Sequence, residues 1–216
     1  VGDEGLYVNQ YVGGTVTATV DGTEVTIAQD AAFPWDGSVS IDVQTATTST
    51  FALRLRVPGW AEGVTITVDG EPIPADSDDG YVSIERAWDD DQITAEFELS
   101  TQALTAHPAV EADAGRLALQ RGPIVYCLEG VDHDRPLHHY AVDPVAAFEA
   151  TYHEDLLEGV CTLEGEATVP ARDGWEGELY RPATETTTTT ASISAVPYYA
   201  WDNRGPTEMR VWLRSA

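Results

Sequence analysis

The chain has 216 residues, and the 43% that are apolar are enough for a packed core, which excludes an intrinsically disordered protein. Acidic residues number 37 against 11 basic ones, giving a formal net charge of -26. A surface this negative repels nucleic acid phosphates and anionic lipids, and no apolar run reaches the roughly 18 residues of a membrane span, so the sequence predicts neither kind of partner.

The first half of the chain alternates between apolar and polar residues and is interrupted by turn residues, which is typical of short strands. Two of the interruptions, Asp21-Gly22 and Asp69-Gly70, are dipeptides that favour hairpins. We predict about eight strands here, the spacing of a β-sandwich or jelly roll. They lie in LYVNQYV (6–12), GTVTATVDGTEVTIAQ (14–29), SVSIDVQTA (38–46), TFALRLRVPGW (50–60), GVTITVDGEPI (63–73), YVSIERAW (81–88) and QITAEFELS (92–100).

The second half is less regular but also predicts strands, with a loop over 131–144. The run Thr186–Thr190 fits either a linker or a strand; we favour a strand because an alternating apolar pattern follows and β-branched residues suit one. The predicted strands lie in GRLALQRG (115–122), PIVYCLEG (123–130), FEATYHE (148–154), GVCTLEGEATVPA (159–171), TTTTTASISAVPYYAW (186–201) and MRVWL (209–213).

These patterns predict an all-β fold of two consecutive antiparallel β-sandwich domains, jelly-roll-like in character, over residues 1–103 and 104–216. We place the boundary near Thr101–His107, after the strand that ends at Leu99. The chain opens on Val1 within an alternating pattern and shows no signal peptide, so we expect a fragment or a processed piece of a longer protein.

The charged residues are unusual in kind as well as in number, because all 11 basic residues are arginine and lysine is absent. At about 1 M salt the Debye length falls to about 3 Å, which screens most of the repulsion between carboxylates. We therefore expect a cytoplasmic protein of a halophilic, salt-accumulating archaeon; the alternative is an acidic protein of a mesophile.

The two cysteines, Cys127 and Cys161, make neither a disulfide framework nor the spacing of a metal site. Cys127 stands two residues before Glu129 in GRLALQRGPIVYCLEG (115–130), which raises the question of a thiol nucleophile with an acid partner. A reactive thiolate needs an electropositive, partly exposed setting. Since Pro123–Leu128 is almost wholly apolar, we favour a buried strand cysteine.

Other candidate sites have an ordinary structural explanation beside the functional one. DHDRPLHHY (132–140) gathers three histidines and two aspartates that could ligate a metal, and DSDDG (76–80) resembles part of a calcium loop. We favour solvated loops for both, and a hairpin turn for AWDDD (87–91). Exposed tryptophans would make a sugar-binding platform, but we favour packing for all six, with Trp35 and Trp60 at corners.

Five segments together resemble the C-terminal half of glycoside hydrolase family 127, the β-L-arabinofuranosidase family. They occur in the family's order, and the resemblance runs from about Gly5 to Leu213. The segments are FPWDG (33–37), LRLRVPGWA (53–61), GYVSIERAW (80–88), GRLALQRGPIVYCLE (115–129) and VPYYAWDNRG (196–205).

The resemblance implies a helical barrel that precedes this chain and carries catalysis, with a zinc-bound cysteine as nucleophile beside further cysteines and glutamates. The paired cysteines of that site would precede the segment that GLYVNQYV (5–12) matches, and no Cys-Cys occurs here. No catalytic, metal or cofactor residue of the family therefore maps onto this chain, and zinc is expected in the missing domain. Cys127 matches a strand of the sandwich region.

Three functions remain open at this point. The first is a non-catalytic scaffold that covers one flank of the barrel, shapes the substrate entrance and carries a subunit interface, possible in a homo-oligomer. The second is a free-standing carbohydrate-binding module, and the third is an interaction protein that partners a separately encoded barrel. We favour the first and expect no glycosidase activity from the chain alone.

Overall fold

The structure, a computed structural model, describes residues 5–216, and strands make up most of this range. The chain divides into two units, one ending at Ser100 and the other beginning at Thr101. Within the described range the only helical elements are short 3₁₀ turns, and no helix has the length and hydrophobicity to cross a membrane. These turns cover Glu111–Asp113, Gly130–Asp132, Leu137–His139, Ala183–Glu185 and Tyr198–Ala200. The fold is all-β and mainly antiparallel, as predicted.

The described part of the first unit contains the strands β1 (Leu6–Val8), β2 (Gly14–Val20), β3 (Thr23–Ala31), β4 (Ser38–Arg56), β5 (Val64–Val68), β6 (Glu71–Ile73) and β7 (Tyr81–Phe97). They form a seven-stranded sheet in the order β2-β3-β4-β7-β5-β6, with β1 pairing in parallel beside β4.

Two of these strands are much longer than the sequence predicted. Strand β4 joins the predicted strands 38–46 and 50–60, and β7 joins 81–88 and 92–100. They pair from Ser38–Glu96 to Arg56–Tyr81, with a register shift between Gln44 and Ser49. No glycine or proline interrupts residues 44–49, so nothing in the sequence ends the strand, and the irregularity bends it instead.

The prediction of a hairpin turn at AWDDD (87–91) is wrong, because this segment lies inside β7 and pairs with β4. Its acidic side chains suggested a solvated turn, but Asp91 is only 9% exposed. One Asp91 oxygen accepts a hydrogen bond from the Asp89 N–H (2.8 Å), and the other pairs with Arg86 (2.9 Å). These partners allow a carboxylate to sit in the bent strand.

A single hydrophobic core fills the first unit. Alternate residues of the first half of β4, such as Val39 and Ile41, are buried, and so are alternate residues of its second half, such as Leu53 and Leu55. Both sets belong to one cluster, which also contains the fully buried Trp88. The bend in β4 and β7 therefore brings the two halves of each long strand to a common core.

Both predicted Asp-Gly hairpins are confirmed. Asp21 and Gly22 join β2 to β3 with φ angles of 49° and 82°, and Asp69 and Gly70 join β5 to β6 with φ angles of 52° and 81°. Two consecutive positive φ values define the type I′ turn, whose twist matches that of the strands it joins.

The second unit forms a nine-stranded sheet in the order β15-β10-β14-β13-β11-β16-β9-β8, with β12 beside β13. Strand β9 also pairs with β10, so the ladder closes on itself. The strands are β8 (Thr101–Leu104), β9 (Arg116–Arg121), β10 (Ile124–Glu129), β11 (Ala141–Val142), β12 (Glu149–His153), β13 (Val160–Pro170), β14 (Thr188–Pro197), β15 (Met209–Arg210) and β16 (Leu213–Ser215). Their inward residues, including Leu119, Leu128 and Leu163, form a second core.

Most strands predicted in this half are present with shorter bounds. The threonine run enters β14 at Thr188, and the predicted strand over 209–213 is replaced by two short strands, β15 and β16. Strand β8 pairs with β9, from Thr101–Arg121 to Leu104–Ala118. The second unit begins at Thr101, within the boundary region 101–107 and three residues before the division at 103/104.

Candidate functional site

The thiol of Cys127 is buried in β10 and is poorly suited to act as a nucleophile. Its side chain is 1% exposed, and the strand places it beside Val196 of β14. Burial raises the pKa of Cys127 to about 12, with a further contribution from the negative charge of Glu129, while Arg204 acts in the opposite direction. At neutral pH the group is therefore a protonated thiol, and the functional reading of the Cys127–Glu129 pair is not supported.

Cys161 is also buried and free, and burial raises its pKa as well. The two cysteines lie on β10 and β13, which are separated by β14. Strands two positions apart are about 10 Å apart, whereas zinc–sulfur bonds are about 2.3 Å long. Cys127 and Cys161 therefore do not fit a shared zinc site.

The histidine-rich segment 132–140 does not gather a metal site. His133 Nδ1 bonds the Glu129 carbonyl oxygen (2.6 Å), and the rings of His138 and His139 meet edge to face at 4.3 Å. The pKa of His139 is lowered mainly by burial, and the neighbouring His138 lowers it further. Among residues 5–216 no group of three metal-binding side chains has the arrangement to hold an ion.

The calcium-like segment 76–80 forms a tight turn. Asp78 and Tyr81 exchange two backbone hydrogen bonds (2.9 and 3.0 Å), and Asp79 and Gly80 adopt positive φ angles of 50° and 79°. The acidic residues therefore serve the turn, where aspartate and glycine tolerate this conformation.

Packing explains two of the tryptophans, and one is exposed. Trp88 is fully buried and donates from Nε1 to the Phe51 carbonyl (3.0 Å), while the Trp60 ring lies 5.7 Å from Phe33. Trp201 is 37% exposed and belongs to the turn that follows β14.

A buried carboxylate holds this turn in place. Glu129, the last residue of β10, is 0% exposed. Its Oε1 accepts from the Asp202 N–H (2.9 Å), and its Oε2 accepts from Arg204 Nε (3.0 Å) and Nη2. Arg204 also donates from Nη1 to Asp132 (2.8 Å), so one guanidinium joins two carboxylates. We call Glu129, Asp132 and Arg204 the ionic latch.

Strand topology explains why the latch is needed. Strands β14 and β15 flank β10 and both run antiparallel to it, so the connecting residues 198–208 pass from one edge of β10 to the other. Glu129, the last residue of β10, contacts these connecting residues where they cross the end of the strand. A buried carboxylate without partners would cost several kcal/mol, and here three N–H donors offset that cost.

Sequence reasoning considered Glu129 only as a partner for Cys127 and missed Arg204. The two residues are 75 positions apart, so local spacing gives no sign of their contact. Two features of the sequence could have pointed to this contact. Glu129 ends an apolar strand, and Arg204 lies in another of the five segments that resemble the family.

A cleft of about 420 Å³ lies beside the latched turn. One wall is Leu157 and Glu158, from the connection between β12 and β13; the other is Tyr199, Ala200 and Asn203. Leu157 and Glu158 both adopt left-handed backbone conformations, with φ angles of 50° and 66°. Such conformations are uncommon outside glycine and concentrate at functional sites.

Polar groups and an aromatic ring converge on this cleft. The Asn203 side chain donates to the Ala200 carbonyl (3.0 Å) and the Trp201 carbonyl (3.3 Å), which fixes its orientation. Tyr199 is 61% exposed, and desolvation of its hydroxyl, with Tyr152 nearby, raises its pKa. The Tyr199 hydroxyl is therefore protonated at neutral pH and can both donate and accept.

Comparison with known proteins assigns both units to one family. The description "Beta-L-arabinofuranosidase, GH127 middle domain" matches residues 5–99, and "Glycoside hydrolase family 127 C-terminal domain" matches residues 101–214. A non-reducing end β-L-arabinofuranosidase of Bifidobacterium longum subsp. longum is 38% identical over 199 residues, which are 88% of this chain and 30% of that protein.

Solved structures agree with this assignment. A GH127 β-L-arabinofuranosidase from Geobacillus stearothermophilus T6 superposes with a TM-score of 0.95 at 40% identity, over 100% of this chain and 34% of the other. A second GH127 β-arabinofuranosidase gives a TM-score of 0.85 at 29% identity, over 97% and 34%. The chain thus spans about a third of the length of these relatives. It belongs to glycoside hydrolase family 127, with the middle and C-terminal domains of that family.

Proposed function

We propose that the chain is the non-catalytic C-terminal supporting region of a β-L-arabinofuranosidase-like hydrolase, whose parent protein cleaves glycosidic bonds. The observation that carries this proposal is the match of both units to the middle and C-terminal domains of the family, while the relatives are about three times longer. Burial of both thiols and the raised pKa of each also support a structural role.

In this proposal a helical-barrel domain N-terminal to the chain supplies the chemistry and holds the zinc. The length of the relatives supports such a partner, because the chain covers only 30% to 36% of them. The position of the two cysteines on separated strands supports this placement of the zinc in the preceding domain. The parent would work in the cytoplasm, alone or as a homo-oligomer.

A halophilic origin is a further part of the proposal. It is supported by the net charge of -26 and by the restriction of basic residues to arginine. Carboxylates at this density repel one another in dilute buffer and are screened in concentrated salt.

Truncation of the parent protein tests the supporting role. We expect the upstream reading frame to encode a barrel with a cysteine pair, and the parent shortened to end before Gly5 to lose solubility and thermal stability. Supplying the 216-residue chain in trans should restore part of both. A barrel that is equally stable and active without this region would contradict the proposal, as would a start codon at Val1 with no barrel-encoding partner gene.

A further inference from the structure

In the ionic latch, a buried carboxylate holds an exposed surface turn in place. Glu129 is completely buried, yet what it holds is a segment that presents Tyr198, Tyr199 and Trp201 at 45%, 61% and 37% exposure. The Asp202 N–H and the Arg204 side chain both bind this carboxylate. The latch therefore fixes the backbone of a segment that presents three aromatic rings at the surface of the 216-residue chain.

The cleft next to this turn has the size of a small-molecule site. Its volume, about 420 Å³, lies within the range of about 300–1,000 Å³ that ligand pockets occupy. Its lining includes an aromatic residue, Tyr199, an aliphatic residue, Leu157, and two polar residues, Glu158 and Asn203. The Asn203 nitrogen is engaged with two carbonyls, so its oxygen is the atom suited to a ligand donor.

We propose that this cleft, between Leu157–Glu158 and Tyr199–Asn203, binds a neutral sugar residue. Sugars combine hydroxyls that donate and accept with apolar C–H faces that stack on aromatic rings, and the cleft provides a partner for each. The Glu158 and Asn203 oxygens accept from hydroxyls, the Tyr199 hydroxyl donates or accepts, and the Tyr199 ring receives an apolar face.

Other ligand classes fit this cleft less well. An anionic ligand would meet the Glu158 carboxylate in a chain of net charge -26, and the nearby Arg204 is already committed to Glu129 and Asp132. A cation would be attracted by charge and ring but would leave the Asn203 amide and Tyr199 hydroxyl without a role.

Titration calorimetry of the 216-residue chain in molar salt tests the proposal, with L-arabinose and a short arabino-oligosaccharide as probes. Choline and glucuronate serve as the cationic and anionic comparisons. We expect the neutral probes to bind and Tyr199→Ala to weaken them about tenfold, the factor that one lost aromatic contact corresponds to. Tyr180→Ala is the matched control, because Tyr180 is 91% exposed and does not line the cleft.

Thermal melting of both variants shows that each is folded before binding is compared. Failure of both neutral probes to bind, equal binding by Tyr199→Ala and wild type, or binding of choline alone would overturn the proposal. The supporting role is tested separately on the parent protein, so the failure of one proposal is distinguishable from the failure of the other.

Discussion

Glu129 is the residue whose substitution we expect to disturb the second unit most. Removing its charge leaves Arg204 facing a buried site in which only Asp132 remains as an ionic partner. Glu129→Gln should lower the free energy of unfolding by about 3 kcal/mol, the range found when a buried pair loses one member. Urea denaturation measures this change.

Asp132→Asn is the control for that experiment, because the Asp132 side chain is 22% exposed and its pairing is partly screened by water. We expect it to cost less than about 1 kcal/mol. Equal effects of the two substitutions would show that burial of Glu129 does not govern the strength of the latch.

Cys127 gives a second prediction at the level of a single residue. Because burial raises its pKa to about 12, almost no thiolate forms at pH 8, and the strand shields the sulfur from solvent. Iodoacetamide should leave both cysteines unmodified in the native chain and alkylate both in urea, as followed by mass spectrometry. Rapid modification of native Cys127 would contradict the structural role assigned to it.

The sequence predicts single residues well where a local pattern controls them. Cys127 is one example, since an apolar strand bounded by glycines predicts a buried thiol. Glu129 is the opposite case, because its partner Arg204 becomes a neighbour only after β10 pairs with β14 and the following turn crosses it. Long-range contacts of this kind leave no spacing pattern in the sequence.

Among the elements, the two long, bent strands β4 and β7 are central to the first unit. Trp88 stabilises the bend, since its Nε1 donates to the Phe51 carbonyl (3.0 Å) and its own carbonyl accepts from Thr45 Oγ1 (3.0 Å). Trp88→Phe leaves a cavity and removes the donor that bonds the Phe51 carbonyl, so it should lower the free energy of unfolding by about 2–4 kcal/mol.

Trp60→Phe provides the comparison for Trp88. Trp60 is half-buried and packs at a corner against Phe33 and Phe97. Its replacement should cost clearly less, and chemical denaturation of both variants decides the order. A larger loss from Trp60→Phe would show that the corner, and not the bend, limits the stability of this unit.

At the level of elements, the sequence predicted the strands and tight turns. It did not predict that separate strands join into the long strands β4 and β7. Alternation and the Asp-Gly pairs locate the hairpins, because both signals lie within a few residues of chain. The joining of 38–46 to 50–60 depends on pairing with β7, and a polar stretch such as 44–49 is compatible with either a loop or a bulge. The acidic residues of AWDDD (87–91) likewise favoured a hairpin turn, because their pairing with β4 is not visible in the local sequence.

The whole molecule is dominated by its negative charge. At low ionic strength the carboxylates repel one another across the folded surface, and about 1 M salt removes most of that repulsion. Dialysis from molar sodium chloride into dilute buffer should therefore loosen or unfold the chain, with loss of the strand signal in circular dichroism. Unchanged ellipticity after dialysis would argue against adaptation to high salt.

Fold class and family were accessible from the sequence because both depend on patterns spread over the full chain. Period-two alternation predicts an all-β fold, and five segments in order carry the family resemblance. The cleft near Tyr199 was not accessible, since it is built from residues 157–158 and 199–203 that meet only through the pairing of β13 with β14.

We propose that this chain supports a hydrolase without itself catalysing hydrolysis. The most direct test of this proposal is an assay of the purified 216-residue chain on an aryl β-L-arabinofuranoside, in molar salt with added zinc. The buried, protonated thiols predict no turnover above that of the Cys127→Ala/Cys161→Ala double variant. Zinc-dependent hydrolysis by the wild-type chain that disappears in the double variant would contradict the account.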